Sequence, residues 1–246
     1  MAKQITDFLP ALSEARGLTL LAVTGGIASG KSTVCRKLEK AGLQIFYCDD
    51  EAKRIIRTHP QVREELRALV GPGVYAEDGT LVKSVLASYI CRGNDCAERV
   101  NAIVHPRVAE AWTQRVAALT AALQTESCNE KPAAGGGLRV PVNGTPASGN
   151  ENPAPANVRL PLRVTTEDLC ALPPSTTLVM ECALLFESGF DKLVAQSVLI
   201  HVSAATQLQR LMQRDGISEE KAREWIALQM SEEEKLQRAT SVLPND

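Results

Sequence analysis

A glycine-rich stretch near the start of the chain, TGGIASGKST, has the residue types and spacing of a phosphate-binding loop. Gly25 and Gly30 enclose four residues, and Lys31 and Ser32 follow directly, which fits the pattern G-x-x-x-x-G-K-[ST]. Glycines let backbone N–H groups turn toward phosphate oxygens, and the start of the next helix adds a dipole that favours an anion. Lysine supplies a cation for the terminal phosphates, and the serine hydroxyl is a ligand for Mg²⁺. The loop therefore predicts a binding site for a nucleoside triphosphate.

Two adjacent aspartates form the second candidate group. Asp49 and Asp50 end a predicted strand, residues 43–50, and in a parallel sheet the carboxyl ends of the strands form the ligand crevice. A carboxylate at this place accepts a proton from an attacking hydroxyl or binds Mg²⁺ through water. We expect Asp49 to face the site and Asp50 to cap the helix that begins at Glu51.

Two further patterns have both a structural and a functional interpretation. His105 precedes a proline, and such a pair usually marks only a helix boundary. Gln207, Arg210 and Arg214 follow one another at offsets of three and four, so a helix places them on one face. Most stripes of this kind are solvated surface. On a lid over a phosphate loop, the arginines would instead neutralise the oxygens of a phosphoryl group in transfer.

The elements that must position these residues predict an α/β fold. A buried strand at residues 18–24, a helix at 32–40 and the strand at 43–50 form a βαβ unit with a parallel sheet. Residues 51–69 and 82–123 have a mostly helical pattern, and we expect one helix to end at His105 and another to start at Pro106. Two apolar β-rich runs follow at 175–189 and 192–203. A pair of polar helices broken at Asp215 and Gly216 precedes a last short strand.

The bulk composition is that of an ordinary globular protein of 246 residues with a net charge of −2. It gives no reason to expect a nucleic acid or a membrane as partner, and no stretch approaches the roughly 20 apolar residues of a membrane span. Seven scattered cysteines without a C-x-x-C pair indicate free thiols and a cytoplasmic location. Residues 124–161 are rich in Gly, Pro, Asn, Ala and Ser, so we expect a disordered insertion, more simply a tolerated loop than a tether for a partner.

In their order along the chain, these motifs resemble the dephospho-CoA kinase family over residues 18–246, apart from the insertion. The matching segments are TGGIASGKSTV, FYCDDEAKRI at the family's D-A-D-x-I-A-R, NAIVHPRV at its I-L-H-P, ALLFESGFDKL at its P-L-L-F-E, and TQLQRLMQRDG at its Q-x-x-R-x-x-x-R-D. The chain departs from the family at Tyr47 and Cys48, which replace D-A, and at Glu181-Cys182-Ala183, which replaces D-x-P.

The resemblance implies a three-layer parallel-sheet core of the P-loop kinase type, after an N-terminal extension of residues 1–17. A helical substrate region (about residues 50–123) and a helical lid (about 205–237) complete it. The implied reaction transfers the γ-phosphate of ATP to the ribose 3′-hydroxyl of dephospho-CoA with Mg²⁺, and no protein partner is implied.

The resemblance also assigns site residues. Lys31, Asp49 and Arg210 are implied as catalytic, with Asp49 as the base or orienting group for the 3′-hydroxyl. Ser32 is implied to bind the metal, and His105 and Glu187 to lie on the substrate side. The residues implied to bind ATP are Gly26, Ala28, Ser29, Gly30, Lys31, Ser32, Thr33, Val34 and Arg214.

Two other functions remain open from the residues alone. A kinase for another nucleoside or nucleotide would share the phosphate loop and the arginine lid. A non-catalytic nucleotide-binding protein, or a decayed kinase, would explain the altered D-x-P segment. The chain has no N-K-x-D element, which counts against a GTPase switch.

Overall fold

The computed structural model describes residues 4–13, 15, 17–129 and 159–246, and it contains a parallel sheet of five strands. The strands lie in the order β2-β3-β1-β4-β5. Their bounds are β1 Thr19–Thr24, β2 Gln44–Tyr47, β3 Thr177–Glu181, β4 Gln196–His201 and β5 Ser241–Pro244. The predicted α/β class with a parallel sheet is confirmed.

Ten α-helices surround the sheet in the described part of the chain. They are α1 Leu9–Leu12, α2 Lys31–Lys40, α3 Cys48–Thr58, α4 Pro60–Val70, α5 Lys83–Ile90, α6 Asn94–Asn129, α7 Thr166–Cys170, α8 Ala204–Asp215, α9 Glu219–Ala227 and α10 Glu232–Arg238. Short 3₁₀ turns occupy Ile5–Phe8, Pro72–Val74 and Phe190–Leu193. Within these ranges, no helix is both long and apolar enough to cross a bilayer.

Alternate residues of the strands point into two separate cores, one on each face of the sheet. Leu21 and Val23 of β1 pack with Val34 of α2 in one buried cluster. Leu20 and Ala22 belong to the other cluster, which includes residues of α3 to α6. Every residue of β1 is buried, as expected for a central strand covered by helices on both faces. The sheet and the two helical layers make the three-layer core that the sequence predicts.

The predicted helix boundary at His105 and Pro106 is wrong. Helix α6 is 36 residues long in total and continues through this point, with Pro106 inside it. Proline removes one backbone hydrogen bond from a helix. However, Val104 before it and Val108 and Trp112 after it are all buried in the same cluster. This packing on both sides of the proline holds the helix in one piece.

The predicted insertion also begins too early, since α6 includes residues 124–129. The remainder of that prediction, from residue 130 to residue 158, lies outside the described residues. Toward the end of the chain, the break at Gly216 is confirmed, where φ is 64°. A second break precedes Ser231, whose side chain begins α10 with a capping box, so the predicted pair of helices is three helices.

Strands β2 and β3 are shorter than expected. Helix α3 begins directly after Tyr47, so Asp49 and Asp50 lie in its first turn, where the helix dipole favours carboxylates. The N-cap position belongs to Tyr47, so the expectation that Asp50 caps this helix is wrong. Strand β3 ends at Glu181, and turns follow it up to residue 189.

Candidate active site

The glycine-rich loop lies between β1 and α2, against the end of β4. A Cβ atom on Gly25 would lie 2.6 Å from the carbonyl oxygen of Ile200, so this position has no room for a side chain. Gly30 has a left-handed φ of 96° at the N-cap of α2, and Ala28 also has a positive φ of 60°. The two left-handed residues turn the chain sharply before the helix begins.

Lys31 extends back along this loop. Its Nζ donates to the carbonyl oxygens of Gly25 at 2.7 Å and Gly26 at 3.0 Å, and the residue is buried. Burial lowers the pKa of the ammonium group, while the negative charge of Glu181 opposes this shift. The positive charge of Lys235, a buried residue of α10, lowers the pKa further. An anion placed between these two lysines would relieve their repulsion.

Carboxylates from two neighbouring elements face the loop. Tyr47 and Glu181 are partners in the β2–β3 register, so the first turn of α3 begins beside the end of β3. Burial raises the pKa of Glu181, and the charge of Lys31 acts in the opposite direction. Asp49 also acts on both groups electrostatically. The site therefore holds a lysine and two carboxylates from the ends of two parallel strands.

The glycine-rich loop, α3, the end of β3 and residues from α8 and the α9–α10 connection line a cavity of about 560 Å³. Asp50 also lines this cavity, but its carboxylate pairs with Lys53 at 3.1 Å and its side chain is 74% exposed. The lining residues are Ile27, Ala28, Lys31, Ser32, Arg36, Tyr47, Asp49, Asp50, Lys53, Glu181, Ala183, Arg214 and Gln229. The predicted residues Lys31, Ser32, Asp49 and Arg214 are thus brought together.

The oxygen atoms of the side chains that line this cavity are suitable ligands for Mg²⁺. The Ser32 hydroxyl and the carboxylates of Asp49 and Glu181 are oxygen ligands of the kind this ion prefers. Across the described residues, no three His, Cys, Asp or Glu side chains converge into a metal cage. Mg²⁺ rarely uses such a cage, since it keeps several waters and takes substrate phosphates as ligands.

The two predicted arginines of α8 lie in different surroundings. Arg214 lines the cavity, where its guanidinium group pairs with Asp215 at 2.7 Å. Arg210 is not among the lining residues and donates to the carbonyl oxygen of Asn245 at 2.8 Å. The Asn245 side chain in turn donates to the carbonyl oxygen of Ser29 at 2.9 Å. Arg210 is therefore linked to the Ser29 carbonyl group of the loop through Asn245.

His105 and Glu187 line a separate cavity of about 440 Å³ between α6 and the N-terminal residues Gln4 and Ile5. Burial lowers the pKa of His105. Glu187 accepts a hydrogen bond from the backbone N–H of Met230 at 3.1 Å. The structure brings these two residues together but does not bring them to the glycine-rich loop, and their role on the substrate side stays a prediction.

Sequence reasoning missed a cavity of about 630 Å³ that adjoins the first one. Tyr47 and Asp50 line both cavities, and Arg54 and Arg115 contribute cationic groups to the second. Burial raises the pKa of Tyr47, which also forms a hydrogen bond with Glu39. The basic residues come from α3 and α6, which are far apart in sequence, so no local pattern indicated this cavity.

Comparisons with known proteins agree on one family. The family model for dephospho-CoA kinase matches residues 19–127 and 161–246. A dephospho-CoA kinase of Salinibacter ruber is 31% identical over 229 residues, which cover 93% of this chain and 89% of that protein. One from Bacteroides fragilis is 30% identical over 226 residues, covering 92% and 84%.

Solved structures have the same fold. A crystal structure of a Thermus thermophilus protein has a TM-score of 0.58 at 25% identity and covers 93% of this chain and 89% of its own. A dephospho-CoA kinase from Campylobacter jejuni has a TM-score of 0.53 at 18% identity, over 92% and 87% of the two chains.

Proposed function

Because this chain belongs to the dephospho-CoA kinase family, we propose that it transfers the γ-phosphoryl group of ATP to the ribose 3′-hydroxyl of dephospho-CoA. The products are coenzyme A and ADP. The observation that best supports this reaction is the single cavity that joins Lys31 and Ser32 of the loop to Asp49 and Glu181 at the strand ends.

In this proposal, the glycine-rich loop binds the ATP phosphates. The ammonium group of Lys31 exchanges its contacts with the Gly25 and Gly26 carbonyl oxygens for contacts with phosphate oxygens. Arg214 neutralises charge on the phosphoryl group during transfer. Other residues bound to ATP in this scheme belong to the loop and the start of α2: Gly26, Ala28, Ser29, Gly30, Thr33 and Val34.

Asp49 is the proposed general base. Its carboxylate accepts the proton of the 3′-hydroxyl, whose oxygen forms a bond to the γ-phosphorus as the bond to the leaving oxygen of ADP breaks. Ser32 and Glu181 would hold Mg²⁺, directly or through water. When bound, this ion neutralises charge on the β- and γ-phosphates.

We place the acceptor in the second cavity, between β2, α3 and α6. Tyr47 and Asp50 separate it from the ATP cavity, so an acceptor there presents its ribose to Asp49. Arg54 and Arg115 supply positive charge for the diphosphate of the acceptor. This arrangement supports the assignment of about residues 50–123 as the substrate region.

Two coarser assignments accompany the reaction. Residues from about 205 to 237, which include all of α9 and most of α8 and α10, are proposed as a mobile lid. We also propose a cytoplasmic location, which the free thiols of the described cysteines support.

The test is ADP release by the purified protein with Mg²⁺–ATP, offered dephospho-CoA, AMP, adenosine or no acceptor in parallel. We expect stimulation by dephospho-CoA alone and a product one phosphate heavier by mass spectrometry. Faster turnover of AMP or adenosine than of dephospho-CoA would mean that the protein is a kinase of the same fold with a different acceptor. ATP binding without turnover of any acceptor would support a non-catalytic protein.

A further inference from the structure

Two glutamines of the lid hold one residue of the phosphate loop. Gln207 of α8 donates from Nε2 to the carbonyl oxygen of Ile27 at 2.9 Å. The N–H of Ile27 donates to Oε1 of Gln229, between α9 and α10, at 2.8 Å. Both backbone polar groups of Ile27 are therefore bonded to the lid. We call Gln207, Gln229 and Ile27 the glutamine latch.

The loop is shaped to admit this contact. A Cβ atom on Gly26, next to Ile27, would clash with Nε2 of Gln207 and lie 3.6 Å from Oε1 of Gln229. The absence of a side chain at Gly26 thus leaves room for both amide groups.

The segment that carries Gln229 is fixed from a second side. Glu187, in the turns after β3, accepts from the N–H of Met230 at 3.1 Å. Ser231 then caps α10 by accepting from the N–H of Glu234. The connection between α9 and α10 is therefore bonded to the loop at Gln229 and to the β3 side of the site at Met230.

The position of the latch bears on where the lid places the guanidinium group of Arg214. Arg214 follows Gln207 by seven residues, which is two turns of α8, so both lie on one face of that helix. Arg214 and Gln229 line the same cavity. Since the lid uses the N–H of Ile27, phosphate oxygens must bind loop amides nearer the start of α2, and the latch and a bound nucleotide do not compete for that group.

We propose that Gln207 and Gln229 are positioning residues that dock the lid on the phosphate loop and so hold Arg214 over the transferring phosphoryl group. This role rests on the proposed kinase function. It predicts that breaking the latch lowers kcat more than it raises KM, because Arg214 interacts most strongly with the transition state.

The test uses variants that remove either the donor or the acceptor of these two hydrogen bonds. Gln229→Met keeps the length of the side chain but cannot accept from Ile27, whereas Gln229→Glu keeps an acceptor oxygen. Gln207→Glu turns a carboxylate oxygen toward the Ile27 carbonyl oxygen, so it removes the donor. Gln209→Met, an exposed change on the same helix, is the control.

Steady-state kinetics with ATP and dephospho-CoA and amide hydrogen exchange at Ile27 are then measured for each variant. We expect Gln229→Met to lower kcat by about 3- to 10-fold, as for the loss of one hydrogen bond, and to accelerate exchange at Ile27. Gln229→Glu should restore slow exchange at Ile27 in the nucleotide-free protein, because it keeps the acceptor oxygen. Its new charge lies in the cavity proposed for ATP, so this variant is read by exchange alone. Gln207→Glu should accelerate exchange at Ile27, as Gln229→Met does.

Unchanged kcat in Gln229→Met despite fast exchange at Ile27 would overturn the positioning role. Exchange at Ile27 that is as fast in nucleotide-free Gln229→Glu as in Gln229→Met would overturn the role of the Gln229 acceptor oxygen. Slow exchange at Ile27 in Gln229→Met would overturn the latch itself. A wild-type protein that is inactive on dephospho-CoA would reject the proposed function instead, and exchange at Ile27 would still report on the latch.

Discussion

Asp49 and Asp50 are adjacent in sequence but have different surroundings in the first turn of α3. Asp50 pairs with Lys53 and is mostly exposed, while Asp49 lies within electrostatic range of Lys31 and Glu181. A carboxylate next to the loop lysine is close to where the γ-phosphate would lie. This difference favours Asp49, rather than Asp50, as the proposed general base.

Replacing Asp49 by asparagine should therefore slow phosphoryl transfer by about 10²- to 10⁴-fold, the usual contribution of a general base. The amide keeps the size of the side chain but cannot take the proton of the 3′-hydroxyl. Single-turnover measurements of ADP formation isolate the chemical step, with Asp95→Asn, an exposed carboxylate in the first turn of α6, as the matched control. Equal rates in wild type and Asp49→Asn would show that another group is the base.

His105 provides a prediction about pH. Burial lowers its pKa in the folded chain, so between its unfolded and folded pKa values the unfolded state binds more protons. Its contribution to stability is present above the unfolded pKa and is lost as pH falls through the folded pKa. The free energy of unfolding of wild type should thus fall faster than that of His105→Gln between pH 7 and 5, by at most about 1.4 kcal/mol per pH unit. Parallel urea titrations would contradict this if the two pH profiles coincide.

At the scale of elements, the glycine-rich loop is fixed by contacts that differ between its two leading glycines. At Gly25, an added Cβ would meet the backbone of β4, and φ is 152°. At Gly26, the nearest atom belongs to the end of the Gln207 side chain, which can move away. The contact at Gly25 packs the loop against strand β4, and the contact at Gly26 packs it against Gln207 of α8.

We accordingly expect Gly25→Ala to lower the free energy of unfolding by about 1 to 3 kcal/mol, since backbone must move. Gly26→Ala should change stability much less but displace Gln207 and accelerate amide exchange at Ile27. Thermal unfolding and hydrogen exchange measure the two effects. Gly73→Ala, which meets no atom within 4 Å, is the control. Equal destabilisation by both loop variants would contradict the distinction.

Local patterns predicted the elements that depend on local sequence. The apolar run of β1, the loop and the first turns of α2 follow from residue types and short spacings. The path of α6 through Pro106 did not, because packing against distant residues outweighs a local preference. The latch was also missed, since Gln229 is 202 residues from Ile27 and its partner is a backbone group. Glu181 was noticed only as a departure from the family, and its burial beside Lys31 is a product of the sheet order.

At the scale of the whole molecule, helix α10 contributes a buried lysine near the glycine-rich loop. Lys235 of α10 is 2% exposed, although α10 is a short helix rich in charge. Its positive charge repels that of Lys31 and lowers the pKa of this lysine of the glycine-rich loop. The folded chain therefore brings two buried lysines from different parts of the sequence within electrostatic range of each other, and ATP bound at Lys31 would supply compensating negative charge.

Lys235→Met should for this reason raise the melting temperature of the nucleotide-free protein, because methionine fills similar space without a charge that repels Lys31. ATP should stabilise the variant less than it stabilises wild type, since part of its binding energy comes from relieving the repulsion between Lys235 and Lys31. Thermal unfolding with and without Mg²⁺–ATP measures both effects, and Lys192→Met, at an exposed position, is the control. A Lys235→Met protein that is less stable than the control, with an undiminished shift on adding ATP, would mean that Lys235 is already compensated within the protein.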